Sequence, residues 1–189
     1  VACLVGSEMC IRDRIKGADV IIWTTTPWTI PANKALAYNA SLKYVLLEIN
    51  DNKNFVNRKI VIAKDLLESF KKDTSIENIK VLNEFLGKDL NGTICSHPFS
   101  KMEYNYDIPM LEANFVTTEQ GTGIVHCAPS HGPDDFNLCL NNNIKAIETV
   151  DGDGKYTSEI KLFEGLHIFK ANNLIIEKLD EQKNLVTNG

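Results

Sequence analysis

The sequence predicts an α+β domain: a mixed, strand-rich sheet, curved or closed into a β-barrel core, with short helices at its periphery. Three observations carry that expectation. Short apolar runs of strand length outnumber helical patterns. The helical stretches fall among them without the regular alternation of a βαβ fold. No internal repeat and no Gly/Ser/Pro-rich linker divides the 189 residues, so they read as one body.

The opening residues stand apart. Cys3 to Arg14, CLVGSEMCIRDR, resembles translated sequencing-adapter read-through. Residues 1–14 are therefore read as a non-native, adapter-derived extension and residues 15–189 as the domain. The alternative is a native first strand at Ala2–Val5. From Ala18 the pattern sharpens. Val20-Ile21-Ile22-Trp23 is a continuous apolar run that reads as a buried strand. Thr24 to Pro31 follows; its two prolines bar a regular helix or a central strand, so it is an ordered loop leading to a short helix at Ala32–Ala37. Tyr44–Ile49 and Arg58–Ala63 read as strands, and a helix is expected from Lys64 to Lys71. Ile79–Leu86 alternates as a strand does, and Asn91-Gly92 marks a turn. Leu111–Val116 and Gly123–Cys127 are the next strands, connected through Glu119-Gln120-Gly121. A helix is expected from Pro133 to Leu140, a tight turn at Asp151-Gly152-Asp153-Gly154, and an amphipathic helix over Asn172–Lys183.

Composition narrows the function. Net charge is -5, which disfavours a nucleic-acid binder that works by bulk charge. No run of about eighteen apolar residues suggests a membrane span, and the start lacks the pattern of a signal peptide. The five cysteines, Cys3, Cys10, Cys95, Cys127 and Cys139, are odd in number and form no CxxC pair. They read as reduced thiols of a cytoplasmic protein rather than as a disulfide framework or a zinc site.

Two polar segments flanked by buried strands are the places where a site is expected. The first is Trp23–Asn33. Its three consecutive threonines offer hydroxyls to hold a water or a carbonyl and methyls to shape a small pocket; β-propensity plus a turn also accounts for them. The second is Gly121–Phe136. Gly132 suits an N-cap and Pro133 the first helical position. Asp134 and Asp135 then lie in the first turn, where the helix dipole favours a carboxylate that could receive an ammonium group. His126, at the end of an apolar strand, is at such a place more often a hydrogen-bonded core residue than a catalyst. His126 and His131 lack a ligand spacing, so no metal is expected. Cys127 and His126 are strand neighbours pointing to opposite faces, so they should not pair as nucleophile and base.

Together WTTTPWTIPAN, Trp23 to Asn33, and GTGIVHCAPSHGPDDF, Gly121 to Phe136, resemble the editing domain of isoleucyl-tRNA synthetase, the connective insertion in a class I synthetase. Val116–Gln120, Asp151–Thr157 and Phe163–Leu166 fit the same pattern, and the resemblance covers about Ile15 to Val186. Leucyl and valyl relatives carry Arg in a TTRP string where Thr26 stands here, which points to the isoleucyl branch. Cys127 and Ser130 depart from the Thr and the Gly or Asp common at their positions. Neither a HIGH nor a KMSKS signature occurs, so no aminoacylation site is expected in the chain.

The resemblance implies the editing-domain fold and post-transfer editing: hydrolysis of valyl-tRNA(Ile), with isoleucine excluded by pocket size. The partner it implies is isoleucine tRNA at its 3′ terminal adenosine, mischarged with valine, in the context of the rest of the synthetase. By motif match Thr24, Thr25 and Thr26 position adenosine, ester and water. Asp135 pairs with the α-ammonium, and His126 walls the side-chain pocket. Asn33 supports the loop or the water, and Trp23 and Gly123 belong to the substrate-binding surface. No metal or cofactor is implied. Arg58, Lys59, Lys71, Lys72 and Lys101 are the candidate phosphate contacts. Two other readings stay open: a truncated, non-catalytic fragment that only binds the aminoacyl-adenosine end, and a freestanding deacylase of other misacylated tRNAs.

Overall fold

The computed structural model describes residues 2–6, 15, 17–51, 54 and 56–188, and of residues 2–6 the backbone alone. Among the described residues ten strands form two sheets. The first takes β1 (Ala2–Gly6), β2 (Asp19–Trp23), β4 (Lys43–Ile49), β5 (Arg58–Ala63), β6 (Ile79–Leu86) and β10 (Leu185–Thr187) in the order β10-β1-β2-β5-β4-β6. All its pairings are antiparallel except β2 with β5. The second takes β3 (Ala35–Tyr38), β7 (Ile94–Ser96), β8 (Asp107–Glu112) and β9 (Ile124–Cys127) in the order β7-β8-β3-β9. There β3 runs parallel to β8 and antiparallel to β9. The expected α+β, strand-rich class holds; of the two forms expected, curved or closed, the described residues form no closed barrel.

The apolar runs are continuous because their strands are buried on both faces. Val20 and Ile22 of β2, Tyr44 and Leu46 of β4, and Val61 and Ala63 of β5 face the main core. Leu36 and Tyr38 of β3, Ile108 and Met110 of β8, and Ala171, Ile175 and Leu179 of helix α3 (Ile168–Glu181) join them there. The alternate residues Ile21, Val45, Leu47, Ile60 and Ile62 form a second core beneath Phe70 of helix α1 (Leu67–Thr74). On the outer face of the small sheet, Ala35, Ala37 and Cys127 pack against Cys139 of helix α2 (Pro133–Asn141). Alanines there let the helix approach closely.

The sheets are joined at Thr122-Gly123. The Thr122 hydroxyl donates to Ile21 O at 2.6 Å, Ala63 N donates to Thr122 O at 2.7 Å, and the Tyr44 hydroxyl donates to Gly123 O at 2.7 Å. Gly123 has φ +74°, and a Cβ there would lie 2.3 Å from the Ala63 Cβ. The close approach of the two sheets therefore requires glycine.

Several elements differ from expectation. The helix expected at Ala32–Ala37 is instead a 3₁₀ turn at Pro27–Ala32 followed by β3. Pro27 starts the turn, the Asn33 N–H closes it on Ile30 O at 3.0 Å, and Asn33 then turns extended at ψ 127°. The strand expected at Leu111–Val116 runs Asp107–Glu112, where pairing to both β7 and β3 is available. The terminal helix begins earlier, at Ile168, because His167 caps it by accepting from Phe169 N. The helix after β5 opens as a 3₁₀ turn at Lys64–Leu66 before α1. The three-residue strands β7 and β10 are too short to show a period.

Residues 2–6 occupy the slot between β10 and β2, with Leu4 opposite Ile21. Strand pairing uses backbone groups that every non-proline residue carries, so occupancy of this slot is compatible with either origin of the segment. Residue 1 and residues 7–14 of the expected extension lie outside the described residues. Among the described residues no helix is long and apolar enough to cross a membrane.

Candidate active site

The two motifs are nearly a hundred residues apart in sequence, and the β3–β9 pairing brings them together. Leu36 lies opposite His126 and Ala35 opposite Cys127, and Lys34 N donates to Cys127 O at 2.9 Å. The 3₁₀ turn that precedes β3 is thereby set beside the end of β9 and the start of α2. A cleft of about 280 Å³ opens between them, lined by Thr24, Thr25, Thr26, His126, His131 and Asp135 among others.

On one wall the chain turns sharply after β2. Thr26 N donates to Thr24 Oγ1 at 3.1 Å, and the two hydroxyls are 3.2 Å apart. Three residues make one 3₁₀ turn, so Thr26 and Thr29 eclipse, with hydroxyls 3.5 Å apart. Thr29 donates to Thr26 O at 2.8 Å and stands 3.1 Å from His126 Nε2. Because the Thr29 proton is committed to the carbonyl, His126 donates from Nε2 and holds a bare, buried Nδ1. Burial lowers the His126 pKa to about 4, with His131 adding to the effect, so the ring is neutral near pH 7. Burial also lowers the pKa of His131, which lies 2.7 Å from Thr149 Oγ1 and edge-on to Trp28 at 4.8 Å.

On the other wall Asp135 is the third residue of α2. Its Oδ2 accepts from Ala128 N at 2.8 Å, so the carboxylate folds back across the helix start. Burial, reinforced by the neighbouring Asp134, raises the Asp135 pKa, while the Ala128 N–H opposes the rise. Among the described residues, Asp135 is the one charged residue lining the cleft, amid hydroxyls and neutral imidazoles. Such a cleft favours a cation, and an ammonium would oppose the rise in the Asp135 pKa.

The structure thus gathers Trp23, Thr24, Thr25, Thr26, His126 and Asp135 at one cleft. It places Asn33 and Gly123 elsewhere. Asn33 is 1% exposed, behind the 3₁₀ turn, with its carbonyl accepting from the Tyr106 hydroxyl at 3.0 Å. Gly123 is the junction between the sheets. Sequence reading gave Thr29 and Thr149 no individual role and weighed His131 only as a metal ligand; the Thr26–Thr29 spacing was the available signal, legible only once the turn is taken as 3₁₀. A fully buried His97 locks the same turn, donating from Nε2 to Ile30 O at 3.0 Å and accepting Phe99 N on Nδ1. Cys127 faces α2, with burial raising its pKa, and makes no pair with His126. Thr29 is buried and hydrogen-bonded to a backbone carbonyl, so its contact with His126 does not activate a nucleophile. Among the described residues no group of three His, Cys, Asp or Glu could hold a metal. Of the candidate phosphate contacts, Arg58 is committed to Asp19 at 2.7 Å and to Lys183 O, and Lys71 pairs with Glu68.

The family described as the editing domain of leucyl-tRNA synthetase matches residues 14–182. An isoleucine–tRNA ligase of Pelagibacter ubique is 68% identical over 175 residues, covering 93% of this chain and 19% of that protein. One from Gluconobacter oxydans is 43% identical over 173 residues, covering 89% and 18%. The chain spans about a fifth of the length of these relatives. Among solved structures, GlLeuRS-CP1 aligns with a TM-score of 0.73 at 12% identity, over 100% of this chain and 98% of that one. The P. falciparum cytosolic leucyl-tRNA synthetase editing domain aligns with a TM-score of 0.65 at 14% identity, over 91% and 80%. At these identities the likeness is one of fold.

Proposed function

The chain belongs to the aminoacyl-tRNA synthetase editing-domain family, on its isoleucyl branch, and from that premise we propose that it hydrolyses the ester of valyl-tRNA(Ile) and excludes isoleucine by size. The observation that carries the reading is the cleft itself: a single carboxylate, Asp135, set across from three threonine hydroxyls. The Asp135 carboxylate binds the substrate α-ammonium by a charge-assisted hydrogen bond, which fixes the acyl group. Thr24, Thr25 and Thr26 then hold the ester and a water. The water oxygen attacks the acyl carbon, the bond to the ribose oxygen breaks, and the water's proton ends on that oxygen. Valine and uncharged tRNA leave. An amino-acid ester is already activated, so positioning supplies the catalysis without a protein nucleophile.

Size selection is the reason for such a site. One methylene separates valine from isoleucine and is worth about 1–3 kcal/mol in a pocket; isoleucyl-tRNA synthetase is itself the standard example of double-sieve editing. His126 is suited to wall the small pocket because it stays neutral and is held by Thr29. The test is turnover by this chain of valyl-, isoleucyl- and unrelated aminoacyl-tRNAs. Selective release of valine is expected. Binding without turnover would make the chain a non-catalytic fragment, and release of several unrelated amino acids would make it a general deacylase.

A further inference from the structure

The threonine wall of the cleft rests on a 3₁₀ run of six residues, Pro27–Ala32. Such runs seldom exceed about three or four residues, because their hydrogen bonds are poorly aligned. Pro27 and Pro31 also contribute no N–H to this one. A run of this length therefore depends on side chains from outside it. Its start is held at Trp28, whose carbonyl accepts the Tyr156 hydroxyl. Its end is held from the segment between β7 and β8. His97, just after β7, donates from Nε2 to Ile30 O at 3.0 Å. Tyr106, just before β8, donates its hydroxyl to Asn33 O at 3.0 Å. The two rings lie 5.5 Å apart, side by side beneath the turn.

His97 is itself fixed. Its Nδ1 accepts Phe99 N at 3.1 Å, which leaves the proton on Nε2 and aims it at the turn. Tyr104 stacks on the ring at 4.6 Å and 16°, setting its plane. Burial lowers the His97 pKa to about 3, against the opposing bond to Ile30 and with Lys34 and His126 adding to the fall, so the donor is unchanged near pH 7. Ile30 O accepts Asn33 N as well, at 3.0 Å, so both its lone pairs are used. Ile30 follows Thr29, whose hydroxyl meets His126 at the cleft. We propose that His97 and Tyr106 are positioning residues of the editing reaction: their hold on the Ile30 and Asn33 carbonyls sets the threonine wall against Asp135. Neither lines the cleft, so they act through the turn and touch no substrate. The proposal rests on the editing reading above. Its weight comes from geometry, since a misplacement of about 1 Å at a reacting centre costs about a hundredfold in rate.

The test compares two amides at position 97. A glutamine amide reaches to where Nε2 stands and keeps a donor for Ile30 O; an asparagine amide reaches only to Nδ1 and keeps the acceptor for Phe99 N. Each variant loses the ring and one buried hydrogen bond, so Tm should fall by similar amounts. Turnover of valyl-tRNA(Ile), measured well below both Tm values, should part them. His97→Asn should lower kcat at least about tenfold, and His97→Gln should stay within about threefold of the unaltered chain. KM should stay within about twofold in both, because Asp135, which binds the ammonium, stands on α2 and is untouched by the change. Tyr106→Phe removes one hydroxyl and should lower kcat by about threefold or more at constant KM, in keeping with the loss of one neutral hydrogen bond. That variant decides the question where a histidine variant is unfolded. Equal kcat in His97→Gln and His97→Asn, or full kcat in Tyr106→Phe, would overturn the proposal, while valine release by the unaltered chain keeps the editing reading. No valine release by the unaltered chain sinks the editing reading and the positioning roles with it.

Discussion

Replacing His126 with alanine separates a pocket wall from a core residue. A buried aromatic in a closed core costs about 3–5 kcal/mol on truncation to alanine. The geometry of His126 predicts far less. Its one hydrogen bond is to Thr29 at 3.1 Å, and Thr29 keeps its donation to Thr26 O at 2.8 Å, so no buried donor is orphaned. Nδ1 has no partner to lose. One neutral hydrogen bond is worth about 1 kcal/mol, and in a chain of this size that lowers Tm by about 2–4 °C. The effect on selectivity should be larger. Removing the ring enlarges the cleft by several heavy atoms, while isoleucine needs room for one methylene. Rejection of isoleucine should therefore fall by about 10–200-fold, the full discrimination one methylene provides. The assay is single-turnover hydrolysis of isoleucyl- and valyl-tRNA(Ile) by both proteins, read as the ratio of the two rates. A ratio that stays fixed while both rates fall and Tm drops by 8 °C or more, about the shift that 3 kcal/mol gives, would return His126 to the core.

Four further outcomes follow from particular contacts. Asp135→Asn can still accept Ala128 N, so valyl-ester turnover should be lost while the fold stays intact. Because the Asp135 pKa is raised, its contribution to stability is greatest when protonated and is lost as pH rises through the folded value; the amide should thus hold or raise Tm at pH 7, and a fall of several degrees would count against this. His97 and His126 are lowered to about 3 and about 4, so their contribution to stability is present above about pH 6.5, the ordinary histidine value, and lost as pH falls below it. The urea midpoint should fall from pH 7 to 5, and a flat profile would refute it. Gly123→Ala puts a methyl group 2.3 Å from the Ala63 Cβ at a positive φ and should lower Tm by more than about 4 °C, given the 1–3 kcal/mol of overpacking. Deleting residues 1–14 should lower Tm by unpairing β2 and β10, while a foreign strand of equal length in place of residues 2–6 should restore it; unchanged Tm on deletion would show that β1 contributes nothing.

The sequence by itself determined the strands whose runs are apolar throughout, β2, β4 and β5, because burial on both faces leaves no polar alternation to misread. It also determined the start of α2, since Gly132, Pro133 and two acids are chemically suited only to a helix N-terminus. Local chemistry likewise marked Thr24–Thr26, His126 and Asp135, and the resemblance gave them roles. Only tertiary structure decided how they meet. Ala35–Tyr38 looks locally helical, yet it becomes the centre of the small sheet because β8 and β9 satisfy its backbone on both sides. That pairing sets the register that puts Thr29 against His126. Asn33 and Gly123, both within the motifs in sequence, fall outside the cleft for the same reason: one is turned behind the 3₁₀ helix, and the other is spent on the contact between the sheets. Pairing between strands nearly a hundred residues apart depends on which edges remain open after the rest of the chain has packed, and no local pattern records that.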